Sequence, residues 1–430
     1  MSDRPFGKGA AVRHARFHTV CGGVNDIGRR RWMMTTSLFA AGIVLGTPIT
    51  ASAQQQTQVQ QVTSDTVTAG TAAAIDRMVK GEDPNSATGE DGKPVPKKMK
   101  PDLLVVPIPM SNPTLGAGLT VAAVMFYNPN QSKQPWVTGG GGFYTSNKSW
   151  GGGLVHSMAF DDDRFKVLLF GGYANVNINF YGIGASAGAR DVSVKMVDKG
   201  ALVLAQGQYR IFDNLYAGPR YQFMKINSRI KRENPIFPDL NLPGNLLDSQ
   251  ISGIGPSITY DSRDNEFAPR KGVNVTLVGL FNTKGLGSDF SYNKWQMAAN
   301  VLFPVTSSGT LALHGGMCAV SKNGPFYDLC MYGQSGDLRG YEMGRYRDRA
   351  SWATQAEWRQ RLGGKFGAVF FAGVGGIANG LSDIDHTTIL PSAGMGLRYR
   401  ASQETGTNLR LDFAIGKDSS AVYFGIGEAF

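Results

Sequence analysis

Apolar and polar side chains alternate along many short segments of this chain. From Asn408 to Ile415 the odd-numbered positions are apolar and the even-numbered positions are polar or small. Successive side chains of a β-strand point to opposite faces, so this pattern predicts a strand with one face suited to lipid and the other to water. The same two-residue period occurs in residues 175–180 and 352–362.

The polar members of these segments are expected to face an aqueous interior. They are Asn175, Asn177, Asn179, Gln355, Glu357, Arg359 and Arg361, and they alternate with Val176, Ile178, Phe180, Trp352, Ala356, Trp358 and Leu362. A soluble β-sandwich also alternates, but it buries mainly Val, Ile and Leu on its inner face. Aromatic residues opposite charged ones favour a membrane-spanning barrel.

The number and spacing of the strand segments predict the architecture. Beyond Pro101 there is no apolar run of about 18 residues, the length that a membrane-spanning helix needs. Segments from Leu103 to Phe430 give about sixteen strands, so we predict an all-β fold, a transmembrane antiparallel β-barrel. Short connections at 161–163 and 212–214 alternate with longer loops near 181–197, 229–249, 321–348 and 379–390.

The first hundred residues differ from the rest. Arg29, Arg30 and Arg31 precede an apolar stretch from Trp32 to Ile49, and Ala51-Ser52-Ala53 has the small-x-small pattern of a signal peptidase site. We predict a signal peptide over 1–53 with a long n-region, in preference to a membrane anchor. Residues 54–100 are polar and low in complexity, which indicates a disordered periplasmic linker. The barrel would occupy 101–430, in the outer membrane.

Charge and composition agree with export and leave little room for other functions. The chain contains 430 residues, 56 of them glycine, and has a formal net charge of +10. Half of that charge comes from residues 1–53, which contain seven Lys/Arg and two Asp/Glu. No basic run with interleaved aromatics follows, so nucleic-acid binding is not expected. The mature chain would keep Cys318 and Cys330, which form a disulfide in an oxidising compartment or remain free thiols.

Catalytic and metal-binding patterns are not found in the sequence. The histidines His14, His18, His156, His314 and His386 have neither metal-ligand spacing nor a neighbouring nucleophile motif. The acidic group Asp261, Asp264 and Glu266 does not match a calcium-binding loop, and turn chemistry explains it better. We therefore expect no enzymatic activity, no cofactor and no metal.

Four short motifs lie where such a barrel would turn or close. The first contains Asp261, Arg263, Asp264, Asn265 and Gly272; the second is Leu338-Arg339-Gly340-Tyr341; the third is Glu357-Trp358-Arg359; the fourth runs from Phe424 through Gly427 to Phe430. Together they resemble the bacterial surface antigen family, the BamA/TamA superfamily of outer-membrane β-barrels. In that family they are the periplasmic turn between strands eight and nine, the sixth outer loop, the twelfth strand and the terminal strand.

The resemblance implies that Arg339 lies on a loop folded into the barrel. A buried arginine needs an acidic partner, and Glu357, beside Arg359, is the candidate. In the family an aspartate on the thirteenth strand also helps to hold the loop, but the matching position here is Gly373. The last strand is expected to place Val422, Phe424, Ile426 and Phe430 on one face and to close the barrel.

The resemblance implies insertion or translocation of macromolecules through a seam between Leu103–Met110 and Ala421–Phe430. Family assembly factors carry periplasmic polypeptide-transport-associated domains, and residues 54–100 are too short for one, so a barrel-only member is expected. Expected partners are outer-membrane lipid, lipopolysaccharide and client polypeptides or lipids. Two alternatives remain open: a structural or surface-antigen barrel whose outer loops bind a partner, which includes a homodimer, and a passive pore. The pore would be lined by Asn175, Asn177, Arg398, Arg400 and Arg410.

Overall fold

The computed structural model describes residues 102–127, 129, 136–231, 247–265, 268–333, 337–400 and 408–430. In these ranges sixteen strands form one antiparallel sheet, in which each strand pairs with the next along the chain. Two further strands, β12 and β13, form a separate pair. This order confirms the predicted all-β barrel. The predicted signal peptide at 1–53 and linker at 54–100 lie outside the described residues.

The strands and helices have these bounds. The strands are β1 Asp102–Asn112, β2 Gly116–Tyr127, β3 Trp136–Thr145, β4 Trp150–Phe160, β5 Phe165–Phe180, β6 Val194–Phe212, β7 Leu215–Ile230, β8 Asp248–Asp261, β9 Gly272–Asn282, β10 Tyr292–Pro304, β11 Gly309–Val320, β12 Cys330–Met331, β13 Arg347–Asp348, β14 Ala350–Gly363, β15 Phe366–Ala378, β16 Thr388–Arg400, β17 Asn408–Gly416 and β18 Ser420–Ile426. The helices are α1 Ala185–Ala189 and the 3-10 turns Lys284–Leu286, Phe326–Asp328 and Leu381–His386. None of these helices is long and apolar enough to cross a membrane.

The two ends of the barrel differ in their connections. At the end where β1 begins and β18 stops, which we call the terminal end, several turns are tight, as at 161–164, 213–214 and 364–365. At the opposite end, the loop end, the connections at 181–193, 231–247 and 321–349 are long. Tight turns at one end and long loops at the other are typical of outer-membrane barrels.

In β14 and β17 the polar side chains face the interior and the apolar ones face outward, as predicted. In β17, Arg410 and Asp412 are buried, whereas Leu411, Phe413 and Ile415 are 44–53% exposed. In β14, Gln355 and Glu357 are buried on the same inner face. The exposed apolar face of β17 suits lipid, and the polar face lines the interior.

The prediction for β5 was wrong at Asn175, Ile178 and Phe180, whereas the amide of Asn179 does bind Glu342 in the connection 321–349. Ile178 and Phe180 pack against a buried cluster in the barrel interior. Asn175 pairs with Trp150, which is 44% exposed, so Asn175 lies on the outer face and Asn177 shares that face by the two-residue period. Aromatic side chains fill the interior beside this part of β5, and apolar residues of the strand pack against them. Asn175 and Asn177 therefore do not line a pore.

Among the described residues, no hydrogen-bonded ladder closes the barrel. β1 and β18 are the two edges of the sheet, and among their described residues no ladder joins them, although the two strands lie side by side. β18 has seven residues, whereas β1 has eleven. The predicted closure by the last strand is thus incomplete, and a seam remains between β1 and β18.

The residues after β18 turn inward. The strand ends at Ile426, and Gly427 adopts a left-handed conformation with φ of 79°. The ring of Phe430 then lies 5.0 Å from that of His314 on β11. Val422 is exposed on the outer face, whereas Phe430 lies inside the barrel, so these two residues do not share one face as predicted. The left-handed turn at Gly427 ends the alternation that the sequence pattern assumed.

Candidate functional site in the barrel interior

The connection between β11 and β14, residues 321–349, folds into the barrel, and we call it the lumen loop. Most of its described residues are buried, including 325–333 and 344–348. A connection on a protein surface would be exposed to water, because its backbone polar groups need partners. Burial of this loop therefore requires that the barrel wall supply those partners.

The first half of the lumen loop is fixed by a disulfide and an ion pair. Cys330 is bonded to Cys318 on β11, with 5.6 Å between their Cα atoms. Asp328 accepts a hydrogen bond from Tyr292 at 2.6 Å and pairs with the ammonium of Lys294 at 3.0 Å. Lys294 and Asp328 are each 1% exposed, so each charge depends on the other for compensation.

Tyrosines fix the loop to β14, β15 and β16 and to the turn after β17. The hydroxyl of Tyr332 lies within hydrogen-bond distance of the carbonyl oxygens of Trp352 on β14 and Gly376 on β15, and its single proton is shared between them. Tyr341 donates to the carbonyl of Pro391 on β16, and Tyr346 donates to Asp418, just after β17. Each phenolic hydroxyl thus satisfies a polar group that burial would otherwise leave unpaired.

Arg339 is the charged centre of the lumen loop. Its guanidinium donates to Glu357 at 2.5 Å through Nη2 and to Asp412 at 2.8 Å through Nη1. It also lies over the ring of Phe371, 3.4 Å from the ring centroid. Arg339, Glu357 and Asp412 are all fully buried. The planar guanidinium fork spans two carboxylates on different strands, which a lysine could not do in the same geometry.

The ion pairs extend from Arg339 towards the terminal end. Glu357 also accepts from Arg359 at 2.6 Å, and Asp412 also accepts from Arg398. Arg398 in turn donates to Glu428 at 2.8 Å. Three arginines and three carboxylates alternate in this network, which we call the lumen clasp: Arg339, Arg359, Arg398, Glu357, Asp412 and Glu428. Equal numbers of opposite charges make its burial tolerable.

Two glycines give the clasp its space. Gly340 has φ of 100°, and a Cβ there would lie 2.7 Å from the backbone nitrogen of Gly416 on β17. A Cβ at Gly396 would lie 2.0 Å from the carboxylate of Asp412. Any larger residue at these positions would displace the loop backbone or the ion pair. This explains physically why glycine follows the arginine of the lumen-loop motif.

The structure brings together some of the predicted site residues and adds a second carboxylate. Arg339 contacts Glu357, and Glu357 contacts Arg359, as the motifs suggested. Gly373 contributes no carboxylate; a Cβ there would meet the side chains of Gln355 and Leu338, so glycine makes room for them. The second carboxylate is Asp412, which lies on the fifteenth strand of the sheet.

Asp412 was missed, although its alternating segment had been recognised. Its position among inward-facing Arg398 and Arg410 was the available signal, since buried arginines need carboxylates nearby. Arg398 is held in the clasp and Arg410 is 2% exposed, so the structure does not place them along an open channel, contrary to the expectation for a passive pore.

A separate contact lies where the lumen loop meets β5. Glu342 accepts hydrogen bonds from the hydroxyl of Tyr181 at 2.6 Å and from the amide of Asn179 at 2.9 Å. Burial, and then the hydrogen bond to Glu342, raise the pKa of Tyr181 to about 12. The phenol therefore stays neutral near pH 7 and keeps donating to the carboxylate.

The residues of the predicted periplasmic turn stabilise the turn itself. Asp261 accepts two hydrogen bonds from the side chain of Arg263, at 2.9 and 2.7 Å. Asp264 accepts from the backbone nitrogens of Arg270 and Lys271, and Asn265 accepts from that of Ala268.

Gly272 ends this turn with φ of 114°, where a Cβ would lie 2.4 Å from the carbonyl oxygen of Ser262. Only glycine fits this conformation and this close approach. Within the part of the chain that the structure describes, no group of three His, Cys, Asp or Glu residues lies close enough to bind a metal ion.

Comparisons with known proteins identify a family and similar folds for this barrel. A family model described as the Omp85 superfamily domain matches residues 113–430. No curated protein matches the chain in sequence. BamA from Haemophilus ducreyi lacking POTRA domains 1-3 has a similar fold, with a TM-score of 0.51 and 15% identity, covering 75% of this chain and 70% of that one.

Two CdiB structures are also similar. CdiB from Acinetobacter baumannii has a TM-score of 0.52 and 12% identity, and the match covers 76% of this chain and 59% of that one. CdiB from Escherichia coli has a TM-score of 0.52 and 12% identity, with 77% and 68% covered. At these identities the likeness shows the fold. The matched fold includes the barrel that contains the lumen clasp.

Proposed function

Since this chain belongs to the Omp85 superfamily, we propose that its barrel inserts proteins into the bacterial outer membrane or moves macromolecules across it. The titles of its structural neighbours name BamA and CdiB. In this proposal the barrel opens the seam between β1 and β18 and catalyses no reaction. Its partners are client polypeptides and the surrounding lipid.

The unpaired seam is the observation that carries the proposal. In lipid, backbone groups without partners cost several kcal/mol each, so an edge strand strongly favours pairing with another strand. β1 has eleven residues with no ladder to β18 among the described residues. A client strand could pair with this edge by strand addition, in which main-chain hydrogen bonds supply the affinity.

The lumen loop contacts both sides of the seam. On the β18 side, the backbone nitrogen of Gly340 donates to the hydroxyl of Tyr423 at 3.0 Å. On the β1 side, the backbone nitrogen of Met343 donates to the hydroxyl of Thr114, two residues after β1, at 2.8 Å. Because Arg339 fixes the loop to β14 and β17, the clasp would hold the two edges at a defined separation.

The proposal is tested by photo-crosslinking from the seam. A benzoylphenylalanine residue replaces Val105 on β1, whose side chain is 58% exposed on the outer face. The matched control replaces Leu154 on β4, which is 71% exposed but belongs to a strand paired on both sides. Vesicles containing either variant receive an unfolded outer-membrane barrel as client, and adducts are detected on gels after irradiation.

We expect client adducts from position 105 and only background from position 154. The parent protein should also accelerate folding of the client relative to empty vesicles. Equal adducts at both positions, or client folding at the rate of empty vesicles, would contradict insertion through the seam.

A further inference from the structure

A basic cavity opens at the terminal end of the barrel. Its volume is about 210 Å³, and it lies among the β8–β9 turn, β14, β15, β16 and the residues after β18. Among its described lining residues, Glu428 is the one carboxylate. Six basic side chains line it: Arg270, Arg359, Arg361, Lys365, Arg398 and Arg400. Arg359 and Arg398 are charge-balanced within the lumen clasp, so the excess comes from Arg270, Arg361, Lys365 and Arg400. An excess of positive charge around a concave space attracts an anion.

Two of these arginines are buried and rigidly held. Arg359 is 8% exposed and Arg398 is 4% exposed. Glu357 and the backbone oxygen of Phe430 fix the first guanidinium, and Asp412 and Glu428 fix the second. Their remaining nitrogens, Nη1 of Arg359 and Nη2 of Arg398, are buried without a protein acceptor. A buried donor without an acceptor costs about 1–3 kcal/mol. Both arginines line the cavity, so an anion bound there is in a position to relieve this cost.

The cavity lies at the depth of lipid headgroups. Phe366, which lines it, is 63% exposed, and its ring lies 5.5 Å from that of Tyr399, which is 40% exposed. Exposed aromatic residues at the ends of barrel strands mark the interface between hydrocarbon and water. The ammonium of Lys365 lies 5.8 Å from the centre of the Tyr399 ring, as expected for a basic residue at that interface.

We propose that this cavity binds a phosphate oxyanion, with Arg359 and Arg398 as fixed donors and Arg361 and Arg400 on its rim. A phosphate group offers several acceptor oxygens to converging arginines, and Arg359 and Arg398 would each supply one charge-assisted hydrogen bond from the nitrogen that has no protein acceptor. The group could come from a phospholipid headgroup or from a free phosphate compound. This site goes beyond the proposed insertion function and does not depend on it.

Binding is measured by calorimetry on the full chain refolded in maltoside detergent and phosphate-free buffer. The two probes are inorganic phosphate and dihexanoyl phosphatidylglycerol below its micelle concentration. The test variant combines Arg361→Gln and Arg400→Gln, and the control combines Arg164→Gln and Arg210→Gln, which remove the same charge near another terminal-end turn. Heat-modifiable migration on gels verifies that each barrel is folded.

We expect the rim variant to bind both probes at least about tenfold more weakly, since each arginine supplies charge-assisted hydrogen bonds. The control should stay within about twofold, because long-range attraction alone is screened by salt. Tighter binding of the lipid than of inorganic phosphate would identify a headgroup as the source, and the reverse order would identify free phosphate. Either order supports the site.

A second variant, Lys365→Glu, changes an exposed turn and does not touch the clasp; it should also weaken both probes. The proposal is overturned by three results: no saturable binding to the parent, equal weakening in the rim and control variants, or tighter binding of an acetylated tetraglutamate peptide than of either phosphate probe. The last result would assign the cavity to an acidic polypeptide.

Discussion

At the scale of single residues, Arg339 is held by two carboxylates at once. Nη2 of its guanidinium donates to Glu357 and Nη1 donates to Asp412, and the guanidinium lies over the ring of Phe371. Glu357 is also bound to Arg359, and Asp412 to Arg398. Arg339 and Glu357 are thus not an isolated pair, because each also contacts a second residue of opposite charge.

This geometry predicts that exchanging the charges fails to restore stability. In a variant with Arg339→Glu and Glu357→Arg, the new glutamate would face Asp412 and the new arginine would face Arg359. We expect it to remain destabilised by about 3–5 kcal/mol, the usual cost of breaking a buried ion pair. The unfolding free energy in urea, measured in detergent micelles, tests this.

The control is Arg164→Glu, which disrupts a pair with Asp161 in which both side chains are 56% exposed. It should change the unfolding free energy by less than about 1 kcal/mol, because exposed ion pairs contribute little. Recovery of the parent stability by the double exchange would show that Arg339 and Glu357 form an independent pair.

At the scale of elements, the disulfide joins the lumen loop to β11. Cys318 and Cys330 are separated by 12 positions in sequence, and both are 1% exposed. Closing such a loop covalently restricts the unfolded chain and stabilises the fold by about 3 kcal/mol. The bond therefore helps to keep the loop inside the barrel.

The two cysteines should act as one unit. Cys318→Ser, Cys330→Ser and the double variant are each expected to lose about 3 kcal/mol of unfolding free energy, since removing either sulfur removes the whole bond. Urea unfolding of the three variants, with and without a reductant for the parent, measures this. Losses that add in the double variant would show that packing of the separate side chains dominates.

At the scale of the whole molecule, the barrel interior is largely filled. Tyr332, Leu338, Tyr341 and Tyr346 of the lumen loop are fully buried inside it. The clasp and the disulfide fix this loop at separate points along its length. The described part of the lumen loop therefore narrows any path for solutes along the barrel axis.

We therefore expect the refolded parent to show little steady conductance in planar lipid bilayers. Arg339→Ala should increase the frequency or size of openings, because it releases the loop from β14 and β17. Arg164→Ala, an exposed change at the terminal end, is the matched control and should behave as the parent does. Large and stable openings of the parent would favour a passive pore and contradict a closed lumen.

The sequence alone determined the all-β barrel, about sixteen strands and the positions of the turns. These follow from the two-residue period and from turn residues, both of which act over a few neighbouring positions. For the same reason the inward faces of β14 and β17 were predicted correctly, as was the self-contained turn that follows β8. The motif resemblance also led to the prediction that Glu357 is the acidic partner of Arg339.

Only the tertiary structure decided which partners meet inside the barrel. Asp412 reaches Arg339 from a strand 73 positions away, and nothing local to either residue specifies that contact. Ile178 and Phe180 of β5 face inward because residues of the lumen loop pack against them. Phe430 lies inside the barrel because the chain turns at Gly427. Periodicity tells which side chains share a face, but what fills the space in front of that face is set by distant segments.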